Sequence, residues 1–223
     1  MTIPVLTIDG PSGAGKGTIS RAIAKQLSWH YLDSGSIYRS LSIAVLNASV
    51  AVDDIPAILA VAKSMQLEFD CGEQLTVKLN NEDITQHLSL EETGRVASII
   101  AAYPEVRAVL LQKQKAFQQM PGLVADGRDM GTVVFPDAQY KVFLTASAKV
   151  RALRRYKQLK EKEIDANLAQ ITQDLEERDR RDQERATAPL ISAKDALIID
   201  SSDMSLERVI EEVMNLIQNG LNW

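Results

Sequence analysis

Val5-Leu6-Thr7-Ile8-Asp9-Gly10-Pro11-Ser12-Gly13-Ala14-Gly15-Lys16-Gly17-Thr18 is the stretch that decides the fold. Its first five residues are a short apolar, β-branched run, as a buried strand requires. From Lys16 onward Ile19, Ile23 and Leu27 recur at helical spacing. Between strand and helix lies a glycine-rich loop ending in lysine. Glycines there let successive backbone N–H groups turn inward around phosphate oxygens. The helix N-terminus adds partial positive charge, and Lys16 is within reach of β- and γ-phosphates. A strand, this loop and a helix in that order form the phosphate-binding P-loop. Gly10, Pro11, Ser12, Gly13, Ala14, Gly15, Lys16, Gly17 and Thr18 are therefore the expected ATP-binding residues. The position after the lysine, usually a Mg²⁺-binding Ser or Thr, is Gly17. Mg²⁺ is then expected on the nucleotide phosphates and water, with no direct ligand from the loop.

Working outward, Trp29 to Asp33, Leu123 to Asp126, Tyr140 to Leu144 and Ala196 to Asp200 read as further short buried strands. Helical spacing separates them over Gly35–Leu46, Asp54–Met65, Leu90–Ala102, Pro104 to about Gln119, and Ser205–Gln218. A charged helical stretch runs from Lys149 to Arg185. Strands alternating with helices predict an α/β core on a five-stranded parallel sheet. Between about 66 and 86 the texture changes to alternation broken by turn residues, Asp70-Cys71-Gly72-Glu73 and Asn80-Asn81-Glu82-Asp83. That predicts a small antiparallel meander inserted into the core.

The bulk properties exclude several classes. The chain has 223 residues and a net charge of −5, which disfavours a general nucleic-acid binder. Cys71 is the only cysteine, so neither a disulfide framework nor a multi-cysteine metal cluster is expected, and a reducing cytoplasmic setting fits. No apolar run is long enough to span a membrane, and the first residues lack a signal-peptide pattern. His30 and His87 have no partner at triad or ligand spacing.

Three segments carry candidate chemistry. Asp126 ends an apolar run where a carboxylate could orient metal-bound water; equally, it could cap the Gly127 turn. Arg128 and Asp129 follow at the carboxyl end of that strand, where open α/β sheets bind ligands. From Lys149 to Lys160 there are six basic residues and no acidic one. Arg151 and Arg155 share a helix face there, as an anion-facing lid or a solvated face would have them. Further on, Arg178, Asp182 and Arg185 fall on one helical stripe. The stripe could grip phosphate and a ribose hydroxyl, or be a salt-bridged exposed face.

Four segments together resemble the bacterial cytidylate kinases: Gly10–Thr18, Leu32-Asp33-Ser34-Gly35-Ser36-Ile37-Tyr38-Arg39, Ala125–Pro136 and Arg178–Pro189. The likeness includes the meander and runs essentially end to end. It implies a single kinase domain over 1–223, with an acceptor-binding region at about 34–105 and a short lid at about 151–165. It implies transfer from ATP to CMP and dCMP with Mg²⁺, in a monomer. Carried over by position, Ser98, Arg107 and Asp129 would read the cytosine ring. Ser34, Tyr38 and Asp182 would hold the sugar. Arg39, Arg128 and Arg185 would grip the acceptor phosphate, with Arg178 near it. Arg151, Arg154 and Arg155 would close over ATP, one against the adenine. Lys16, Arg128, Arg155 and Arg185 would be the catalytic cations, and no general base is needed, since the acceptor phosphate is already ionised. A kinase for another monophosphate is the nearest alternative. A nucleotide-dependent switch is less compatible, since Ser or Thr after Lys16 and an Asn-Lys-x-Asp motif are both missing.

Overall fold

A computed structural model describes residues 2–71, 75–161 and 163–220. The turn expected over 70–73 lies partly outside them. The deciding stretch folds as read: β1 (Val5–Asp9), the loop, then α1 (Lys16–Leu27). β1 pairs in parallel with β6 (Leu123–Gly127) on one side and β7 (Tyr140–Thr145) on the other. β2 (His30–Asp33) flanks β6 and β8 (Leu197–Asp200) flanks β7, so the five-stranded order is β2-β6-β1-β7-β8.

Both faces of the central strands are covered, so β1 and β6 are buried along their whole length, as parallel strands are; at the edge, β8 leaves Ile198 63% exposed. Successive residues alternate between two cores. Val5, Leu32, Leu123 and Ala125 face the core built from α2 (Ser34–Asn47), α3 (Ile55–Ser64), α4 (Glu91–Ile100) and α5 (Pro104–Lys115). Leu6, Ile8, Val124 and Val142 face α1 and α8 (Leu206–Gly220). Asp33 N-caps α2, accepting from the Ser36 N–H (3.0 Å) and Ser36 Oγ (2.6 Å). Asp54 caps α3, with Pro56 inside its first turn, and Pro104 opens α5. These side chains satisfy N–H groups that a helix start leaves unpaired.

The expected meander is a three-stranded antiparallel sheet, β3 (Leu67–Cys71), β4 (Leu75–Leu79) and β5 (Glu82–Asp83). Val77 and Leu79 turn into the α2–α5 core. The charged stretch differs from its reading as one helix. It forms α6 (Ala148–Glu161) and α7 (Leu168–Glu184), which pack on each other. Asn167 caps α7, accepting from the N–H groups of Ala169 and Gln170. Its side chain starts a new helix where continuous helical periodicity would have run on. No described helix is long and apolar enough to cross a membrane.

Candidate active site

β1 and β6 are adjacent, yet the chain leaves them in opposite directions across the sheet. β1 continues outward through α1 to β2, whereas β6 leads to β7 on the far side of β1. Such a switch point opens a crevice at the strand carboxyl ends. Asp9 and Gly127 are register partners there, so the loops beginning at Gly10 and Arg128 share one rim.

Asp9 ties the rims together. Its carboxylate accepts from the Met130 and Gly131 N–H groups, both at 2.8 Å, and so anchors the π-helical turn Met130–Val134 that follows Asp129. Burial pushes Asp9 up to about 6, against those two donors. Sequence reading took Asp9 only as a strand end. Gly10 next to it has φ 151°, and a Cβ there would lie 1.9 Å from the Leu144 carbonyl oxygen of β7. The loop thus nests against its neighbour strand in a conformation open to glycine alone.

Lys16 is buried and donates to the Pro11 carbonyl (2.9 Å), which folds its ammonium back over the loop. Burial, then Arg128, pull its pKa well below the ordinary lysine value. Burial, then Asp33, push Asp126 well above the ordinary carboxylate range. Asp126 accepts from the Tyr31 hydroxyl (2.7 Å) and stands beside Gly17, whose Cβ would lie 3.6 Å from Asp126 Oδ2. The Asp126 carboxylate therefore lies against the loop and does not cap the Gly127 turn through any described hydrogen bond. Among the described residues no group of three or more His, Cys, Asp or Glu could hold a metal. The donor set, the Asp126 carboxylate beside Gly17 and Thr18 on the larger cavity, fits an ion carried by a nucleotide and its water, not a protein cage.

Two cavities meet at this rim. The larger, of about 710 Å³, lies between the loop from Ser12 to Gly15, the α6–α7 hairpin and the segment after β8. Arg154 and Arg155 line it, together with Met204, Leu206 and Val209. Arg154 donates to the Ala14 carbonyl (3.2 Å), to Ser201 Oγ (3.1 Å) and to the Ser201 carbonyl (2.7 Å). Arg155 pairs with the exposed Glu91 of α4. Arg151 is placed differently from its helix-face partner Arg155. It is buried, donates to the carbonyls of Ser12 (3.0 Å) and Ala146 (2.9 Å), and pairs with Asp179 (2.6 Å). It braces the loop from behind.

The smaller cavity, of about 60 Å³, gathers nine of the ten expected acceptor residues. Ser34 and Tyr38 come from α2, Ser98 from α4 and Arg107 from α5. Arg128 and Asp129 follow β6, while Arg178, Asp182 and Arg185 come from α7 and its end. Arg39 is the exception and lines the larger cavity. Arg107 and Asp129 form a buried ion pair, and Arg107 also donates to the Ala101 carbonyl (3.1 Å). Arg128 joins the two cavities: it donates to Ser12 Oγ (2.8 Å) and to Asp182 (2.9 Å). Arg185 is not on the helical stripe expected of it; α7 ends at Glu184, and Arg185 is extended and donates to the Ala188 carbonyl (2.6 Å). Its Nη1 nevertheless stands 3.8 Å from Asp182.

The pocket carries an excess of positive charge, with Arg107, Arg128, Arg178 and Arg185 against Asp129 and Asp182. Burial alone would raise Asp182, yet Arg128, Arg178 and Arg185 hold it below its ordinary value. Burial, then Arg128 and Arg39, pull Arg178 down to about 9. Arg178 Nε, Arg185 Nη2 and Ser98 Oγ are buried without a hydrogen-bond partner among the described residues. Buried polar atoms are normally paired, so crowded guanidinium groups with open donors mark an anion site. Gln114, which carries no sequence signal, is fully buried and accepts from Ser34 Oγ (2.8 Å), fixing that hydroxyl at the pocket wall. Ser201, also missed, links α6 to the loop through Arg154.

A family profile described as cytidylate kinase matches residues 6–219. The cytidylate kinase of Methylococcus capsulatus is 56% identical over 98% of this chain and 98% of its own. That of Aeromonas salmonicida is 51% identical over 95% of this chain and 92% of its own. That of Colwellia psychrerythraea is 50% identical over 97% and 96%.

Proposed function

The chain belongs to the cytidylate kinase family and transfers the γ-phosphate of ATP to CMP or dCMP; from that premise we propose that ATP occupies the larger cavity and the acceptor the smaller one. The observation that carries this division is the convergence of nine acceptor candidates, from five separate segments, on one pocket against the P-loop.

Phosphoryl transfer asks little covalent work of the protein; it asks for in-line placement and cancellation of charge. The loop amides and Lys16 hold the β- and γ-phosphates. Arg154, pinned by Ser201 and Ala14, offers its face to the adenine. Arg155 has an exposed carboxylate as partner, a contact of little strength, so it can leave Glu91 for a phosphate. We place the lid at about 151–165 on that basis, and Arg151, tied beneath the loop, at its hinge. Arg107 and Asp129 open their mutual pair to supply a donor and an acceptor to cytosine, with Ser98 beside them. Ser34, Tyr38 and Asp182 hold the sugar. Arg128, Arg178 and Arg185, with Arg39, neutralise the acceptor phosphate, and Arg128 spans to Ser12 on the donor side. A magnesium ion would be met by the Thr18 hydroxyl and Asp126 through water, and supplies further cancellation of charge on the transferring group. The region at about 34–105 serves acceptor binding. One chain lines both cavities, so a monomer suffices.

The smaller cavity has less room than a nucleoside monophosphate needs, so acceptor binding must part its walls. The test is an acceptor panel. Purified protein with ATP and Mg²⁺ should release ADP fastest with CMP or dCMP. Equal turnover of AMP, or ADP release with no acceptor, would overturn the assignment of the pocket to cytosine.

A further inference from the structure

Gly94 lies inside α4, where glycine is the poorest helix former after proline. No turn demands it: its N–H bonds to the Leu90 carbonyl (3.1 Å), and it is not among the glycines with positive φ. What fills the space above it is Arg39 of α2. A Cβ at Gly94 would stand 3.1 Å from Arg39 Nη2, 3.3 Å from Nη1 and 3.4 Å from Cζ. Three guanidinium atoms at nearly equal distance mean that the group lies broadside on the bare helix backbone. Its Nη1 also donates to the Leu88 carbonyl, just before α4. The nearest atoms to that Cβ all belong to the Arg39 side chain, not to the α2 backbone. A methyl group would therefore lift the guanidinium by a few tenths of an ångström before it forced the helices apart.

Arg39 lines the larger cavity together with Ser12, Gly13 and Arg178. That is the place where donor and acceptor phosphates would meet. We propose that Gly94 is a positioning residue for Arg39: its missing side chain sets the depth at which the guanidinium lies, and so its reach to the phosphoryl group in transit. The proposal rests on the reading of Arg39 as a phosphate-binding residue given above. It also explains why a helix former is not used at Gly94. Catalytic geometry is sensitive to sub-ångström placement, whereas a flexible side chain end can yield at small cost to the fold.

Gly94→Ala, Arg39→Ala and the double variant decide it, each assayed with CMP and ATP alongside the unmodified protein. Gly94→Ala should keep or raise Tm, lower kcat/KM for CMP about tenfold, and leave ATP affinity within about twofold. In the Arg39→Ala background the second substitution should change activity by less than about twofold. Full activity of Gly94→Ala, the same loss in the Arg39→Ala background, or a loss that follows a fall in Tm would each overturn the proposal. If the unmodified protein does not turn over CMP, the functional reading fails instead. If only Gly94→Ala retains full activity while Arg39→Ala loses it, the reading stands and this inference falls.

Discussion

Lys16 shows how one residue's environment sets up its chemistry. An ammonium buried among Arg128 and the loop is costly to charge in the free protein, and its pKa falls to about 7. Arriving phosphates supply the missing negative charge and favour the protonated lysine. They disfavour ionisation of the neighbouring Asp126 as well. The sign is then fixed: above pH 7 the free protein holds Lys16 increasingly neutral, so nucleotide binding takes up a proton. As pH rises above about 7, ATP affinity should weaken. Calorimetry in two buffers of different ionisation heat should show net proton uptake. Proton release, or none, would mean that Lys16 is already charged before ATP arrives. The same scale holds the two residues proposed to read the ring. Arg107 and Asp129 are a buried pair, and breaking such a pair is expensive unless another partner replaces each side. On the proposed reading, cytosine, with a carbonyl and an exocyclic amine, would replace both.

Among the elements, β7 determines more of the P-loop than the loop's own sequence suggests. The Leu144 carbonyl would meet a Gly10 side chain at 1.9 Å, and φ at Gly10 is 151°. Neither the strand backbone nor the loop can retreat, because β7 is hydrogen-bonded between β1 and β8. Gly10→Ala should therefore destabilise the protein by about 3 kcal/mol or more, read as a shifted urea midpoint. A change under about 0.5 kcal/mol, the range of ordinary surface substitutions, would show that the loop is not held against the strand. The α6–α7 break is a second lesson at this level. Helical periodicity continues through the charged stretch, but Asn167 offers an acceptor to two N–H groups and restarts the helix. Periodicity reports which faces can be buried, not where a chain turns back.

For the molecule as a whole, two cavities that share Arg178 and parts of α2 and α4 but differ in their remaining walls should give two distinguishable responses to ligand. ATP alone should slow hydrogen exchange in α6 and the first turns of α7, which wall the larger cavity. CMP alone should slow it in α2 and α4, which wall the smaller one. Identical footprints for the two ligands would contradict the division of the site. Arg178 lines both cavities, and Arg128 links them through Ser12 and Asp182. Cooperation between the ligands is expected to pass through Arg128 and through Arg155, which ties α6 to α4 by way of Glu91.

Strand and helix identities, the inserted meander and the P-loop were legible in the sequence, because each rests on local spacing. A strand buried on both faces is apolar throughout, a helix repeats at three to four residues, and a phosphate loop needs its glycines in order. Most residues expected at the acceptor were named by resemblance, and they lie together in one pocket. Other features were decided only by tertiary structure. Arg39 lines the larger cavity, donating to the Leu88 carbonyl and lying against Gly94. Arg151 is drawn under the loop by Ser12 and Asp179. Arg185 enters the pocket from beyond its helix, and Asp9 reaches across to Met130 and Gly131. The physical reason is common to all four. The direction of a long charged side chain is set by the partners that meet its charge or hydrogen-bonding groups, and those partners arrive from distant segments once the sheet order has been formed.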